Sequence, residues 1–259
     1  MVTKPKIGIF GLTSCAGDQL AILNCEDELV QLASALDIRD WEMAQTNTDR
    51  TSQLDVAFVE GVVAQTRDLD ALKEIRKRSK ILVAIGTCAV WGGVAAMKNY
   101  IPREVLKEEV YGNGIQMVAD TMKALPVKSF VKVDVSLPGC PIEKHEFLQA
   151  AASLLHGDVP EFLNFSVCSE CKMRENACLV IEKGEVCCGA LTVAGCDARC
   201  PSHNVPCGGC HGPIDEAHYD ANVTMFKEQG ITRDEIQNKM TMYATPAWMD
   251  NKLLSEKGV

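Results

Sequence analysis

The cysteines of this 259-residue chain constrain its fold more than any other feature. Nine of the 13 cysteines fall between Cys168 and Cys210, and those that precede this segment are Cys15, Cys25, Cys88 and Cys140. Such density in a short secreted domain usually means disulfides. Here the count is odd, and the polar start from Met1 to Lys6 predicts no export signal. We therefore expect a cytoplasmic chain whose reduced thiols bind a metal or iron–sulfur clusters.

Composition and charge exclude several classes of function. Hydrophobic residues make up 47% of the chain, enough for a sizeable buried core. The 26 basic and 35 acidic side chains give a net charge of −9, which disfavours nucleic-acid binding. The apolar stretches are short and interrupted, so none is expected to span a bilayer. We expect neither nucleic acid nor a membrane span among the direct contacts of this chain.

Residues 1–160 alternate between strand-like and helix-like patterns. Short apolar runs, each closed by glycine or proline, predict strands over Lys6–Phe10, Leu54–Glu60, Ile81–Ile85 and Phe130–Leu137. The spacing of apolar residues predicts helices over Asp18–Leu36, Leu69–Lys80, Gly114–Leu125 and Glu143–Leu155. Alternating strands and helices indicate a parallel sheet covered on both faces. We interpret this region as a flavodoxin-like, doubly wound α/β domain.

The pattern changes after residue 160. The segment has few apolar runs but many cysteines and glycines, so it cannot build a hydrophobic core of normal size. Small folds of this kind usually need metal sites to hold them together. Helical spacing returns over Ala217–Glu228 and Thr232–Met240. We predict a small, irregular cluster-binding domain with a helical tail over residues 161–259.

Three cysteines of the first domain follow the ends of predicted strands. Cys15 comes after the first strand, Cys88 after the third and Cys140 after the fourth. Because ligands of an open parallel sheet bind beyond the carboxyl ends of its strands, we expect these thiols to converge. Three thiolates in one place suit an iron–sulfur cluster or zinc. Three buried, inert cysteines are the alternative.

The fourth ligand of that site has two candidates. Asp18 takes the second position of a C-x-x-C motif that starts at Cys15, whereas Cys25 lies seven residues further on, inside a predicted helix. Seven residues of helix correspond to about 10 Å along the axis, which would put Cys25 beside the core. We therefore prefer Asp18, whose alternative role is to cap the helix. Glu60 also follows a strand, and either faces the same edge or is a solvated acid beside a turn glycine.

The later cysteines form two groups of four. The first has the spacing C-x2-C-x6-C-x8-C and consists of Cys168, Cys171, Cys178 and Cys187. The second has the spacing C-x3-C-x6-C-x2-C and consists of Cys196, Cys200, Cys207 and Cys210. Such groups indicate metal without choosing between zinc and iron–sulfur. Three four-ligand clusters need twelve ligands, which eleven cysteines and Asp18 supply, so Cys25 and Cys188 are left over.

Four ordered motifs of the first domain resemble those of the small subunits of nickel–iron hydrogenases. They are Cys15-x-x-Asp18, Glu60-Gly61, Gly86-Thr87-Cys88-Ala89 and Pro138-Gly139-Cys140-Pro141. The later cysteines resemble those of the cytosolic branch, particularly the F420-non-reducing (methyl-viologen-reducing) type, and the sulfhydrogenase delta subunit is a relative of that type. Aspartate in place of the second cysteine of the first motif departs from the family pattern.

The resemblance implies three 4Fe–4S clusters. The proximal cluster would use Cys15, Asp18, Cys88 and Cys140; the medial cluster Cys196, Cys200, Cys207 and Cys210; and the distal cluster Cys168, Cys171, Cys178 and Cys187. The nickel–iron site would belong to a separate large subunit, so this chain would hold no catalytic residue. It would pass electrons from H2 oxidation to a flavin or iron–sulfur partner, such as one that feeds a heterodisulfide reductase. A relay in a complex I-like assembly and a structural zinc protein are the alternatives.

Overall fold

A computed structural model describes residues 4–112 and 121–249 of the chain. The chain divides into two compact units, Met1–Pro160 and Glu161–Val259. Within the described ranges, no helix combines the length and the apolar character needed to cross a membrane.

Five parallel strands form the sheet of the first unit, in the order β2-β1-β3-β4-β5. Their bounds are β1 (Lys6–Gly11), β2 (Asp37–Asp40), β3 (Leu54–Glu60), β4 (Ser79–Ile85) and β5 (Val135–Leu137). This is the strand order of flavodoxin-like folds. The predicted α/β class with a doubly wound parallel sheet is therefore confirmed.

Helices connect these strands or follow the last of them. Their bounds are α1 (Gly17–Leu23), α2 (Glu26–Ala35), α3 (Thr66–Arg78), α4 (Gly86–Trp91), α5 (Arg103–Tyr111) and α6 (Lys144–His156). The central strands β3 and β4 are almost wholly buried, and their side chains Leu54 and Leu82 pack with Leu72 of α3 in one apolar cluster. A capping box of Gln65 and Asp68 begins α3, so this helix starts at a defined residue.

The predicted helix Asp18–Leu36 is wrong in its continuity. It breaks between α1 and α2, where Glu26 has a left-handed φ of 39°. The helix α1 buries Asp18, Gln19 and Ile22, whereas α2 buries no residue. The two helices are therefore buried to different extents, although their apolar spacing is continuous and predicts one helix.

Three further differences concern the strand β2, the strand β5 and the helix predicted over Gly114–Leu125. The edge strand β2 has the sequence DIRD, whose two charged ends conceal a strand from a search for apolar runs. The strand predicted over Phe130–Leu137 shortens to β5. Of the helix predicted over Gly114–Leu125, residues 114–120 lie outside the described ranges and residues 121–125 are not helical.

Within its described residues, the second unit contains helices and the isolated bridges Ser166–Val193 and Thr192–Pro213. Its helices are α7 (Val167–Met173), α8 (Leu179–Lys183), α9 (Arg199–Ser202), α10 (Tyr219–Glu228) and α11 (Arg233–Met249). One small buried cluster contains Val167, Ala198 and Cys207, with Cys171, Cys187 and Cys196 packed against it. Cysteine side chains thus supply a large part of this one cluster. The tail helices α10 and α11 bury Phe226, Ile236 and Met240. Both begin near their predicted starts, but α11 continues beyond the predicted end at Met240 to Met249.

The buried β4 residue Leu82 tests the sheet core. Leu82→Ala removes a fully buried side chain, and we expect it to lower the free energy of unfolding by about 2–5 kcal/mol because a cavity remains. Lys80→Ala, on the same strand, removes an exposed side chain paired with Asp55, so a loss of about 0–1 kcal/mol is expected. Anaerobic urea unfolding followed by circular dichroism measures both. Equal losses would contradict the buried position of Leu82.

Candidate metal centres

The strand ends of the first unit bring three cysteines to one edge of the sheet. Cys15 lies between β1 and α1, Cys88 lies in α4 directly after β4, and Cys140 follows β5. The pKa of the Cys88 thiol is raised to about 12, first by burial and then by the neighbouring Cys140, Asp18 and Cys15. One site therefore contains three thiols and a carboxylate, all of them potential anions.

Asp18 is buried at this edge, with 6% of its surface exposed. Its Oδ1 accepts a hydrogen bond of 2.9 Å from the backbone N–H of Ile142, and its carboxylate faces Gly86. Burial, and then the charge of Glu60, raise the pKa of Asp18 to about 7. The N-cap residue of α1 is Ala16, and no side chain makes a cap bond there, so Asp18 does not cap this helix.

Cys25, the competing fourth ligand, lies in the core. It is fully buried at the start of α2, and its Sγ is 3.6 Å from the carbonyl oxygen of Ala21. Burial raises the pKa of its thiol, and the charges that act on it are those of Lys144 and Glu28. Asp18, by contrast, is one of the groups that raise the pKa of Cys88.

Glu60 at the end of β3 is fully buried, so the interpretation of this residue as a solvated acid is wrong. Its carboxylate accepts hydrogen bonds from the backbone N–H of Asp18 (3.3 Å) and from the backbone and side-chain N–H groups of Gln19 (3.4 and 3.0 Å). The Gln19 side-chain oxygen in turn accepts a bond of 3.0 Å from the Trp41 indole. Glu60 therefore fixes the start of α1 to the edge of the sheet.

A pair of hydrogen bonds joins the loops that carry Cys88 and Cys140. The backbone N–H of Thr87 donates to the carbonyl oxygen of Gly139 at 2.7 Å, and the Gly139 N–H donates to the Thr87 hydroxyl at 3.2 Å. Behind Cys88, a β-carbon on Gly93 would lie 2.5 Å from its Sγ. The Cys88 thiol therefore occupies space that any side chain at position 93 would fill, so this position requires glycine.

The structure brings the first later group of cysteines together. Cys168 and Cys171 lie on α7, Cys178 precedes α8, and Cys187 follows it. The pKa of Cys168 is raised to about 11, first by burial and then by Cys187, Cys171 and Cys178. The sulfur atoms of Cys168 and Cys187 lie 3.5 and 3.6 Å from the place of a β-carbon on Gly189.

The second later group is only partly brought together. Burial and the neighbouring thiols, among them Cys210, raise the pKa of the buried Cys207. Cys196 packs against the same small core as Cys207. Cys200 stays exposed on α9.

The two later groups are joined by hydrogen bonds. The backbone N–H of Cys207 donates to the Sγ of Cys187 at 3.2 Å, and the N–H of Cys188 donates to the carbonyl oxygen of Cys207 at 3.0 Å. Cys188 is fully buried, and burial raises the pKa of its thiol to about 12. In this arrangement Cys187 lies with the Cys168 group and Cys188 belongs to the core.

The sequence reasoning missed one buried acid of the second unit, Glu170. It lies between the two cysteines of a C-x-x-C motif on α7, where nothing in the pattern distinguishes it from a solvated side chain. Its carboxylate oxygens accept hydrogen bonds from the backbone N–H groups of Gly195 (2.8 Å) and Ala198 (3.0 Å).

The spacing of these donors bears on the kind of group they can hold. Within residues 4–112 and 121–249, no three Cys, His, Asp or Glu side chains surround a point closely enough for a single metal ion. Tetrahedral zinc draws all its ligands to one ion. In an iron–sulfur cluster each ligand binds its own iron, so the ligands lie further apart. The donor sets, three thiols with a carboxylate and two groups of thiols, are of the kinds that hold iron–sulfur clusters or zinc.

Comparison with known proteins identifies relatives of the chain. Residues 15–154 match the protein family described as NADH ubiquinone oxidoreductase, 20 Kd subunit. The chain is 36% identical to sulfhydrogenase 2 subunit delta of Pyrococcus furiosus over 92% of this chain and 99% of that protein. It is 32% identical to an F420-non-reducing hydrogenase vhu subunit of Methanocaldococcus jannaschii over 82% of this chain and 83% of that protein.

A solved structure gives a matching fold. A chain from a crystal structure of an NAD⁺-reducing NiFe hydrogenase in the H2-reduced state superposes with a TM-score of 0.57 and 26% identity. The superposition covers 62% of this chain and 96% of that one. The matched family region contains all four donors of the first unit, whereas the later cysteines lie outside it.

Gly86 tests how tightly the first site is built. Gly86→Ala places a β-carbon against the Asp18 carboxylate at a φ of +81°, whereas Gly157→Ala adds one at +80° with nothing within 4 Å. The backbone strain of about 1–2 kcal/mol is common to both variants. We expect Gly86→Ala, but not Gly157→Ala, to lower the iron content of the anaerobically reconstituted chain. The same iron content in both variants would contradict this geometry.

Proposed function

Since the chain belongs to the family of hydrogenase subunits that includes sulfhydrogenase delta and the vhu subunit of F420-non-reducing hydrogenase, we propose that it relays electrons in a cytoplasmic nickel–iron hydrogenase. The observation that carries this proposal is the convergence of Cys15, Cys88, Cys140 and Asp18 at the carboxyl edge of a parallel sheet. Two further groups of four cysteines extend the relay beyond this first centre.

We assign each donor set to one 4Fe–4S cluster. Cys15, Asp18, Cys88 and Cys140 hold the proximal cluster. The medial cluster takes Cys196, Cys200, Cys207 and Cys210, and the distal cluster takes Cys168, Cys171, Cys178 and Cys187. When bound, such clusters accept and release single electrons at potentials set by ligand type, hydrogen bonds to sulfur and exposure.

The residues of this chain orient the ligands and adjust their electrostatics. Glu60 holds the segment that carries Cys15 and Asp18, and the Thr87–Gly139 bonds hold Cys88 beside Cys140. The N–H that Cys207 donates to the Cys187 sulfur favours the more negative, reduced state of the distal site. A carboxylate at the fourth proximal position is a harder ligand than thiolate, and it distinguishes this site from the all-cysteine ones.

The proposed partners follow from the relay. A separate large subunit holds the nickel–iron site where H2 is oxidised, and this chain converts no substrate by itself. At the other end, an iron–sulfur or flavin subunit receives the electrons, such as one linked to a heterodisulfide reductase. The matched relatives are themselves subunits of hydrogenases by name, which supports an assembly of several polypeptides.

A second candidate is a relay in a complex I-like assembly. The match to the NADH ubiquinone oxidoreductase 20 Kd subunit favours it, because that match contains the whole proximal donor set. It ends at residue 154, however, and leaves both later cysteine groups unexplained. The hydrogenase subunits match over most of the chain and are therefore the better guide.

Anaerobic purification of the tagged chain from its native cells tests the proposed function. We expect a co-purifying polypeptide that contains nickel, H2-dependent reduction of methyl viologen, and about 12 irons per chain, since three clusters hold four irons each. A preparation with only zinc, or with fewer than about eight irons per chain, would contradict the three-cluster relay. A full iron content with partners that lack nickel would favour the complex I-like alternative.

The identity of the fourth proximal ligand is tested by Asp18→Cys. We expect the variant to keep a four-iron proximal cluster but to change its midpoint potential, because thiolate replaces a harder ligand. Redox titration followed by EPR spectroscopy measures the change. The ligand role of Asp18 would be wrong if the titration and the EPR signals stayed as in the wild type.

Cys25→Ser is the matched control for that experiment. The Cys25 thiol lies in the core against Ala21, so we expect the proximal EPR signal and iron content to remain unchanged. Loss of the proximal signal in this variant, with no change in Asp18→Cys, would assign the fourth position to Cys25 instead.

A further inference from the structure

A buried carboxylate connects the two cysteine groups of the second unit. Glu170 lies on α7 between Cys168 and Cys171, with 9% of its surface exposed. One of its oxygens accepts the N–H of Gly195 at 2.8 Å, and the other accepts the N–H of Ala198 at 3.0 Å. Both oxygens thus act as acceptors, as in an ionised carboxylate. The bonds span Cys196, the first cysteine of the other group.

The loop that Glu170 binds has an unusual backbone. Gly195 has a φ of 121°, and the non-glycine residues Asp197 and Ala198 have left-handed φ values of 60° and 49°. Such conformations persist only where the surroundings impose them. The loop leads directly into α9, which carries Cys200. A side chain that fixes the backbone of residues 195–198 by hydrogen bonds therefore also sets the orientation of Cys196 and Cys200.

Two other polar contacts join the same segments, but both are exposed, and the buried packing of Val167 with Ala198 is apolar and therefore non-directional. Arg174 forms an ion pair with Asp197, and the Asn176 amide donates to the Ser202 hydroxyl at 3.0 Å. Exposed pairs of this kind contribute little to stability. A buried carboxylate with two backbone donors is different, because removal of one partner leaves a buried polar group unsatisfied. Of these contacts, the Glu170 bonds are therefore the ones that define the loop.

We propose that Glu170 is a positioning residue shared by two clusters, which holds the Cys196 loop in register with the helix that supplies Cys168 and Cys171. This inference rests on the proposed function, in which these cysteines bind the medial and distal clusters. The carboxylate binds the backbone N–H groups of Gly195 and Ala198 and acts through the ligand loop. Its loss therefore alters the medial and distal centres together and leaves the proximal centre in the first unit unchanged.

The test compares two substitutions in the anaerobically purified complex. Glu170→Gln keeps the side-chain length but replaces one oxygen with an NH2 group, which cannot accept an N–H bond from the loop. Glu170→Asp keeps the charge but is one methylene shorter, so it cannot reach both donors. We expect both variants to shift the midpoint potentials of the medial and distal clusters, or to lose iron from these two sites. The EPR signal and potential of the proximal cluster stay as in the wild type.

Glu182→Gln is the matched control, because it removes the same charge from an exposed position on α8 of the same unit. We expect wild-type potentials in this variant. If Glu170→Asp matched the wild type while Glu170→Gln shifted, the residue would act through its charge and the positioning role would be overturned. Unchanged potentials in both Glu170 variants would overturn it too. A wild-type complex without iron in the second unit would instead refute the proposed function itself.

Discussion

The hydrogen bonds of one buried carboxylate determine how the first site is assembled. Glu60 ends the central strand β3, and its oxygens accept the N–H groups of Asp18 and Gln19 at the start of α1. A buried charge is stable only where such donors surround it, so the segment with Cys15 and Asp18 has one favourable position. The parallel sheet then needs only its neighbouring strand ends to bring Cys88 and Cys140 to the same edge.

The second unit solves a related problem without a sheet. Its small core is built partly from cysteine side chains, which serve as packing groups and as candidate ligands at once. Thiols with raised pKa values hold their protons until a cation displaces them, so cluster binding and the stability of this unit are expected to be coupled. In our proposal Glu170 holds the Cys196 loop in place where apolar contacts are sparse. It does so, like Glu60, through a carboxylate that accepts hydrogen bonds from backbone N–H groups.

The sequence predicted those features that follow from local pattern and from topology. The strand Leu54–Glu60 matches its predicted bounds, and the meeting of Cys15, Cys88 and Cys140 follows from parallel strands alone. The break between α1 and α2 was not predictable because apolar spacing continues across it. Glu170 was not predictable either, since its partners lie 25 and 28 residues away and the contact arises only when the unit folds.

The position of the first site within the chain bears on why such a protein works as a subunit. Cys15 and Cys140 are exposed, whereas Asp18 and Glu60 behind them are buried. The potential of a cluster depends on its exposure to water, and an exposed cluster also loses electrons to solvent oxidants. A covering polypeptide at this edge would lower the exposure of both thiols and bring its own redox centre close. In the proposed relay, electrons would enter at this edge, where Cys15 and Cys140 are exposed.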